Sequence, residues 1–254
     1  PAGSRCPPGT ARATPPAGAP ELLAQAHAHH RAGRLAEAQA GYQAVLAVDA
    51  GNFDAEHLLG VVAQQAGRPE EALLHFERAV SLSPESAAAH SNLGDACRRL
   101  GRLEDALARL RQATQLDPQL VEAQFNLGAV LRRLGRIEEA IKAYRRALAL
   151  SPDFADAHAG LAQALRDAGE LDEALASSQR ALALKPESAV LQLSVGNLLR
   201  EKGFLDEAAA AYRAALERDP QLVEAHNNLG NVLRHKGRAD EALACYERAL
   251  SVKP

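Results

Sequence analysis

The sequence predicts an all-α chain, a solenoid of seven 34-residue helix-turn-helix repeats, and three observations carry that prediction. The last six prolines, Pro84, Pro118, Pro152, Pro186, Pro220 and Pro254, stand 34 residues apart. Glycine keeps the same interval without a gap, at Gly33, Gly67, Gly101, Gly135, Gly169, Gly203 and Gly237. On both sides of these glycines apolar residues recur at helical spacing. A fixed period of this length outranks any domain count taken from the 254-residue length.

With proline set at repeat position 32, units start at residues 19, 53, 87, 121, 155, 189 and 223. The expected organisation is a tail or linker over 1–18 and an array over 19–254, with repeats 19–52, 53–86, 87–120, 121–154, 155–188, 189–222 and 223–254. The tail, PAGSRCPPGTARATPPAG, is rich in Pro, Gly, Ala and Thr and lacks hydrophobic periodicity, which predicts disorder. In each unit the glycine at position 15 supplies the left-handed residue that closes helix A, and the proline at position 32 cannot continue helix B. For repeat 4 this places helix A near 121–134 and helix B near 138–150.

Small residues explain much of the remaining pattern. Position 8 is always Gly or Ala, as at Gly60, Gly94, Gly128 and Ala162, and position 20 is Ala in all seven units, from Ala38 to Ala242. Both positions are expected to be contacts where two helix backbones approach closely. Position 27 is Ala in six units, and position 24 holds Tyr42, Phe76, Tyr144, Tyr212 and Tyr246, which assigns more than half of the nine aromatics to the core.

Composition narrows the function. Twenty-nine basic and 32 acidic residues leave a net charge of −3, which excludes holding nucleic acid by bulk positive charge. Cys6, Cys97 and Cys245 lie far apart without a CxxC pair, so neither a disulfide framework nor a zinc site is predicted, and a reduced, cytoplasmic setting is expected. The longest uncharged stretches, such as 188–199, fall short of the roughly 20 apolar residues that cross a bilayer, so no membrane span is expected. A chain that begins at Pro1 rather than Met is expected to be a fragment. It also stops at Pro254, where a solenoid normally carries a polar cap, so further chain is expected and the apolar flank of repeat 7 is a candidate for self-association.

Several constellations look like chemistry. Acidic pairs recur at positions 18 and 19, from Glu70/Glu71 to Asp240/Glu241. Each pair opens helix B, where negative charge complements the helix dipole, and is assigned that role rather than acid/base work. In the HAHH run only His27 and His30 share a helix face, with no third ligand in register, so no metal site is predicted. His90, His158 and His226 all occupy position 4 and are expected as half-buried rings between helices. No phosphate loop, GxSxG or usefully spaced Cys/His pair occurs, so no catalytic centre and no cofactor are predicted.

Helix A positions 2, 5, 6, 9, 12 and 13 form one stripe, expected not to overlap core positions 4, 7, 8 and 11. Position 6 carries Asn92, Asn126 and Asn228, interrupted by Gly160 and Ser194, and position 9 adds Asn197 and Asn231. Position 12 is Arg in five successive units, Arg98, Arg132, Arg166, Arg200 and Arg234, while position 2 is acidic at Asp54, Glu122, Asp156 and Glu224. These charges serve either the helix dipole or a ligand. The dipole does not account for the asparagines, which are mediocre helix formers placed mid-helix. An Asn column offers both donors and acceptors, and so holds the backbone of an extended peptide without reading its side chains.

Leu-Gly at positions 7 and 8, Ala at 20, an aromatic at 24, Ala at 27 and Pro at 32 together resemble the tetratricopeptide repeat family over about nine tenths of the chain. Repeat 1 departs most, with Gln25, Val45 and Ala50 at pattern positions. The resemblance implies a right-handed superhelical solenoid with the stripe on its concave surface, and a non-catalytic interaction module that binds protein or peptide in the groove. Segments such as SPDFADAHAGLAQAL and VEAHNNLGNVLRHKGRADEALACYERAL are similar to the repeat region of O-linked N-acetylglucosaminyltransferases and their bacterial relatives. There, Asn at position 6 and Asp at position 2 line a peptide-holding lumen, which implies peptide-binding roles for Asn92, Asn126, Asn228, Asp54 and Asp156. It also implies an alternative function, the substrate-recruiting arm of such a transferase with its catalytic domain outside this chain. Phe125, at position 5, completes the candidate set. The chaperone-tail clamp of some family members needs Lys at position 5, where this chain has Leu23, His57, Ser91, Phe125, Ala159, Leu193 and Asn227, so that ligand is not implied.

Overall fold

The computed structural model describes residues 18–252. The tail assigned to 1–18 lies outside them except for Gly18, as does Pro254. The described residues form fourteen α-helices and no strand: α1 Ala19–Arg31, α2 Leu35–Val48, α3 Phe53–Gln65, α4 Pro69–Leu82, α5 Ala87–Arg99, α6 Leu103–Leu116, α7 Val121–Arg133, α8 Ile137–Leu150, α9 Ala155–Asp167, α10 Leu171–Leu184, α11 Ala189–Glu201, α12 Leu205–Arg218, α13 Val223–His235 and α14 Ala239–Val252. Odd-numbered helices are helix A of each repeat and even-numbered ones helix B, so α7 and α8 stand where repeat 4 predicts them.

The helix stops have a local cause. Gly135 has φ 75°, a left-handed value. Its N–H donates to the carbonyl of Arg132 and the N–H of Arg136 to that of Leu131, the paired bonds that satisfy the last carbonyls of a helix. A Cβ on Gly135 would meet nothing within 4 Å, so the backbone angle, not space, requires glycine here. Six other position 15 glycines share this φ range.

The chain divides at the Gly101/Arg102 junction into two compact units. The first holds α1 to α5; there α1 packs on α2 and α3 on α4, and each B helix also packs on the next A helix. The second holds α6 to α14 with the same scheme, α7 on α8, α9 on α10, α11 on α12 and α13 on α14. The alanines of position 20, from Ala38 to Ala242, and those of position 27, from Ala79 to Ala249, are all buried.

Three expectations about the core change. At position 8 the close neighbour of Gly60, Gly128, Gly196 and Gly230 is an aromatic ring rather than a helix backbone, while Ala26 of repeat 1 does meet the next helix closely, at Gly41. A Cβ on Gly60 would lie 2.5 Å from the ring of Phe76, and one on Gly196 or Gly230 would lie 2.6 Å from Tyr212 or Tyr246. Position 3 joins the core, with Ala55, Ala89, Ala123, Ala157 and Ala225 fully buried, as does position 10, with Val62, Ala96, Val130, Ala164, Leu198 and Val232. Position 4 is a backbone clasp: Nε2 of His90, His158 and His226 bonds the carbonyl of Pro84, Pro152 and Pro220 at 2.9, 2.8 and 2.9 Å. The ring caps a carbonyl that no helix satisfies. His90 is buried, and the other two are half-buried.

Candidate functional site

The helix A stripe is not wholly separate from the core. Ser91, Asp95 and Leu193, at positions 5, 9 and 5, are only 3%, 6% and 5% exposed.

In the first unit the stripe is a chain of internal bonds. Asn92 Nδ2 donates to His57 Nε2 at 2.7 Å. The His57 ring stacks on Phe53, with centroids 5.5 Å apart. Burial pushes the His57 pKa below its ordinary value, with Asp54 opposing, and a neutral ring is what an amide donor requires. Asp54 itself is exposed. Arg98 donates to Asp95 Oδ1, and Arg99 and Gln64 to Asp95 Oδ2. Burial alone would raise the Asp95 carboxyl, but the hydrogen bonds and charges of Arg99 and Arg98 together hold it below the usual carboxylate range. Arg98 is thus tied to its own helix. Asp95 was missed in the sequence, although its arginines at i+3 and i+4 are a readable signal.

In the second unit Phe125 packs between Tyr144 and Phe154, at centroid distances of 5.9 and 5.0 Å. Asn126 sits beside it, half-buried. The arginines of position 12 form rungs to acids at position 13 of the next repeat. Arg132 Nη1 donates to Asp167 at 3.1 Å, and Arg166 binds Glu201 through Nε at 2.9 Å and Nη2 at 2.5 Å. Arg200 approaches the same Glu201 at 3.9 Å. Arg234 is exposed and lies with Arg200, Asn231 and His235 around a second recess. These acids of position 13 were also overlooked in the sequence, because only the arginine column was read.

The asparagines of repeats 6 and 7 have a structural share in the fold. Asn197 Oδ1 accepts from both the Tyr212 hydroxyl and Asn228 Nδ2, each at 2.8 Å, and Asn197 Nδ2 reaches Glu224 at 3.3 Å. Asn231 Oδ1 accepts from Tyr246 at 2.9 Å. Position 9 asparagine therefore orients the position 24 phenol of its own repeat. Asp156, at position 2, accepts from Lys185 at 2.7 Å.

Residues of four consecutive repeats converge on one cleft of about 310 Å³ in the second unit. Its lining includes Arg132, Gln163, Arg166, Asp167, Ser194, Asn197 and Glu224, all stripe positions, and apolar Val190, Leu193 and Leu198. The stripe thus brings together Arg132, Arg166 and Asn197, with Asn228 bonded to the last. The remaining candidates, Asn92, Asp54 and Arg98, belong to the first unit, and Asn126, Phe125, Asp156, Arg200, Arg234 and Asn231 do not line this cleft.

Other constellations resolve structurally. Four position 19 acids, Glu71, Asp105, Glu139 and Glu241, take the arginine three residues before them. His27 and His30 both pack edge-on to Tyr42, at 5.8 and 6.0 Å. Among the described residues no group of three or more His, Cys, Asp or Glu comes together as a metal-ligand set, and no helix is long and apolar enough to cross a membrane.

A family model described as the cilia and flagella-associated protein 70 C-terminal domain matches residues 8–225, and a tetratricopeptide repeat model matches 223–254. No curated protein matches the chain. Among solved structures, MamA is 27% identical with a TM-score of 0.60, covering 63% of this chain and 94% of its own. YrrB, described as a TPR protein with an unusual peptide-binding site, is 27% identical with a TM-score of 0.60, covering 70% and 92%. A tetratricopeptide repeat protein from Parabacteroides merdae shares the fold at 18% identity, with a TM-score of 0.71 over 93% of both chains. With one family model spanning most of its length and repeats built on the same helix pairs, the chain belongs to the tetratricopeptide repeat family of the cilia and flagella-associated protein 70 C-terminal domain.

Proposed function

We propose that this chain is a non-catalytic interaction module whose helix A stripe binds an extended peptide or protein segment. The observation that carries the reading is the cleft of about 310 Å³, in which six stripe positions from consecutive repeats present amide, guanidinium and carboxylate groups beside apolar walls. The peptide-binding site named for YrrB supports it. In this reading Asn126 and Asn228 hold peptide backbone, since Asn228 bonds Asn197 through only one amide hydrogen and keeps its carbonyl for a ligand. In the second unit Asn197, Asn231, Asp156 and Phe125 shape the stripe and Arg132, Arg166, Arg200 and Arg234 set its charge; in the first unit Asn92, Asp54 and Arg98 hold the matching stripe positions. A reducing, cytoplasmic setting fits the wide spacing of Cys6, Cys97 and Cys245, which form no CxxC pair.

The test replaces Asn92, Asn126 and Asn228 by Ala and measures capture of an immobilised library of extended peptides. Capture is expected to be lost with little change in helical signal, and unchanged capture would return these asparagines to a purely structural role. A second reading makes the array the substrate-recruiting arm of an O-linked N-acetylglucosaminyltransferase-like enzyme or another fused transferase. The likeness of repeats 5 and 7 to those repeat regions favours it. Selective capture of acceptor peptides of such an enzyme over composition-matched controls is its expected outcome.

A further inference from the structure

The cleft has a cause in the repeat pattern. In repeats 4, 6 and 7 position 24 is Tyr144, Tyr212 or Tyr246, and the ring lies over the glycine at position 8 of the same repeat. Tyr144 also fills the space of position 6 in the next repeat, where a Cβ on Gly160 would lie 2.6 Å from its ring. Tyr212 and Tyr246 donate their hydroxyls to position 9, Asn197 and Asn231. A position 24 ring is thus bounded by positions 8 and 9 of its own repeat and position 6 of the next. In repeat 5 position 24 is Ser178, and those three boundary residues are Ala162, Gln163 and Ser194. All three line the cleft. The buried Ser178 hydroxyl reaches only to Ser194 Oγ, at 3.4 Å.

We propose that the part of the cleft beside Ala162, Gln163 and Ser194, where no position 24 ring intrudes, is a side-chain pocket that takes the neutral aromatic side chain, tyrosine foremost, of a bound extended peptide. The inference rests on the stripe binding peptide and adds to it a residue preference, where the asparagines provide none. Leu193, Leu198 and Val190 supply apolar wall for the ring. Gln163 stands at the position from which Asn197 and Asn231 accept a tyrosine hydroxyl, and its side-chain carbonyl offers the same bond. The charges at the mouth favour a neutral group over an anion: Arg132 and Arg166 are committed to Asp167 and Glu201, and Glu224 adds a further acid.

The test uses the full chain and two kinds of probe. p-Cresol, the tyrosine side chain alone, is titrated while amide NMR shifts are followed. Short capped Ala/Ser peptides carrying one central Tyr, phosphotyrosine or Ala are titrated by fluorescence anisotropy. The expected result is p-cresol shifts centred on Ala162, Gln163 and Ser194, and Tyr-peptide binding about tenfold or more tighter than that of the Ala or phosphotyrosine peptide. Ser178→Tyr should fill the pocket from inside; because Ala162 would crowd the new ring, the paired variant Ala162→Gly/Ser178→Tyr restores the pattern of the neighbouring repeats and keeps the fold. That pair should abolish both the p-cresol shifts and the Tyr preference. Equal binding of Tyr and Ala peptides, or a preference that survives the pair with a native melting point, overturns the pocket alone. Tighter phosphotyrosine binding overturns its neutral character. Absence of binding by every peptide overturns the underlying reading of the stripe, and p-cresol shifts then report a cavity without a peptide role, which overturns the proposal as well.

Discussion

Replacing Gly196 by Ala tests the coupling between positions 8 and 24 that shapes both core and cleft. Two opposed effects meet at this residue. In a helix interior Ala is favoured over Gly by about 1 kcal/mol, because glycine loses more backbone entropy. The added Cβ, however, would lie 2.6 Å from Tyr212 Cε1 and 2.8 Å from Cδ1, closer than any ordinary contact. Tyr212 is fully buried and its hydroxyl is held by Asn197, so the ring has little freedom to retreat. Overpacking of this kind costs about 1–3 kcal/mol, so Gly196→Ala should range from neutral to destabilising by about 2 kcal/mol. With Tyr212→Ser already in place the ring is gone, and the same substitution should stabilise by about 1 kcal/mol. Repeat 5 already carries that combination, as Ala162 with Ser178. A double-mutant cycle by denaturant unfolding should therefore return a coupling of about 1–3 kcal/mol. Stabilisation by Gly196→Ala in both backgrounds would show that the ring does not dictate glycine at position 8.

Three further outcomes are expected. Ala140→Leu, at a fully buried site, should cost about 1–3 kcal/mol in thermal or denaturant unfolding through overpacking. His57 has its pKa depressed by burial, so the unfolded chain binds the proton first; its contribution is complete above about pH 6.5 and is lost as pH falls below that value, and the His57→Gln variant should show a shallower loss of melting temperature over that window. On α14, Leu243 and Leu250 are 57% and 64% exposed seven residues apart on one face, and if repeat 7 associates with a second copy, sedimentation velocity should show assembly that Leu243→Lys/Leu250→Lys abolishes.

The features legible in the sequence are those with local causes. The position 15 glycines announce helix ends because the left-handed φ is a property of one residue and two backbone bonds, and proline and alanine carry the period in the same way. The charge column was only half legible. Arg132 and Arg166 are visible as a series, but their partners, Asp167 and Glu201, stand one repeat and one residue further on, a neighbour that only stacking creates. The buried state of Asp95 was hidden for a similar reason, since its third donor, Gln64, comes from the preceding repeat. Most of all, Gly160 and Ser194 stand in the sequence as interruptions of an asparagine column, with nothing to tie them to the aromatic column of position 24. Position 24 of each repeat meets position 6 of the next, as Tyr144 over Gly160 and as Ser178 bonded to Ser194, so two columns that stand apart in the sequence are one contact in the fold.

The most direct test of the peptide-binding assignment is amide NMR shift mapping of the chain with an unlabelled extended peptide selected from a library. The account predicts shifts concentrated on helix A positions 6, 9 and 12 of the second unit, at Asn126, Ser194, Asn228, Gln163 and Arg166, with α8, α10 and α12 quiet on their exposed faces. Shifts gathered on those helix B faces, or saturable binding that leaves the stripe untouched, would contradict it.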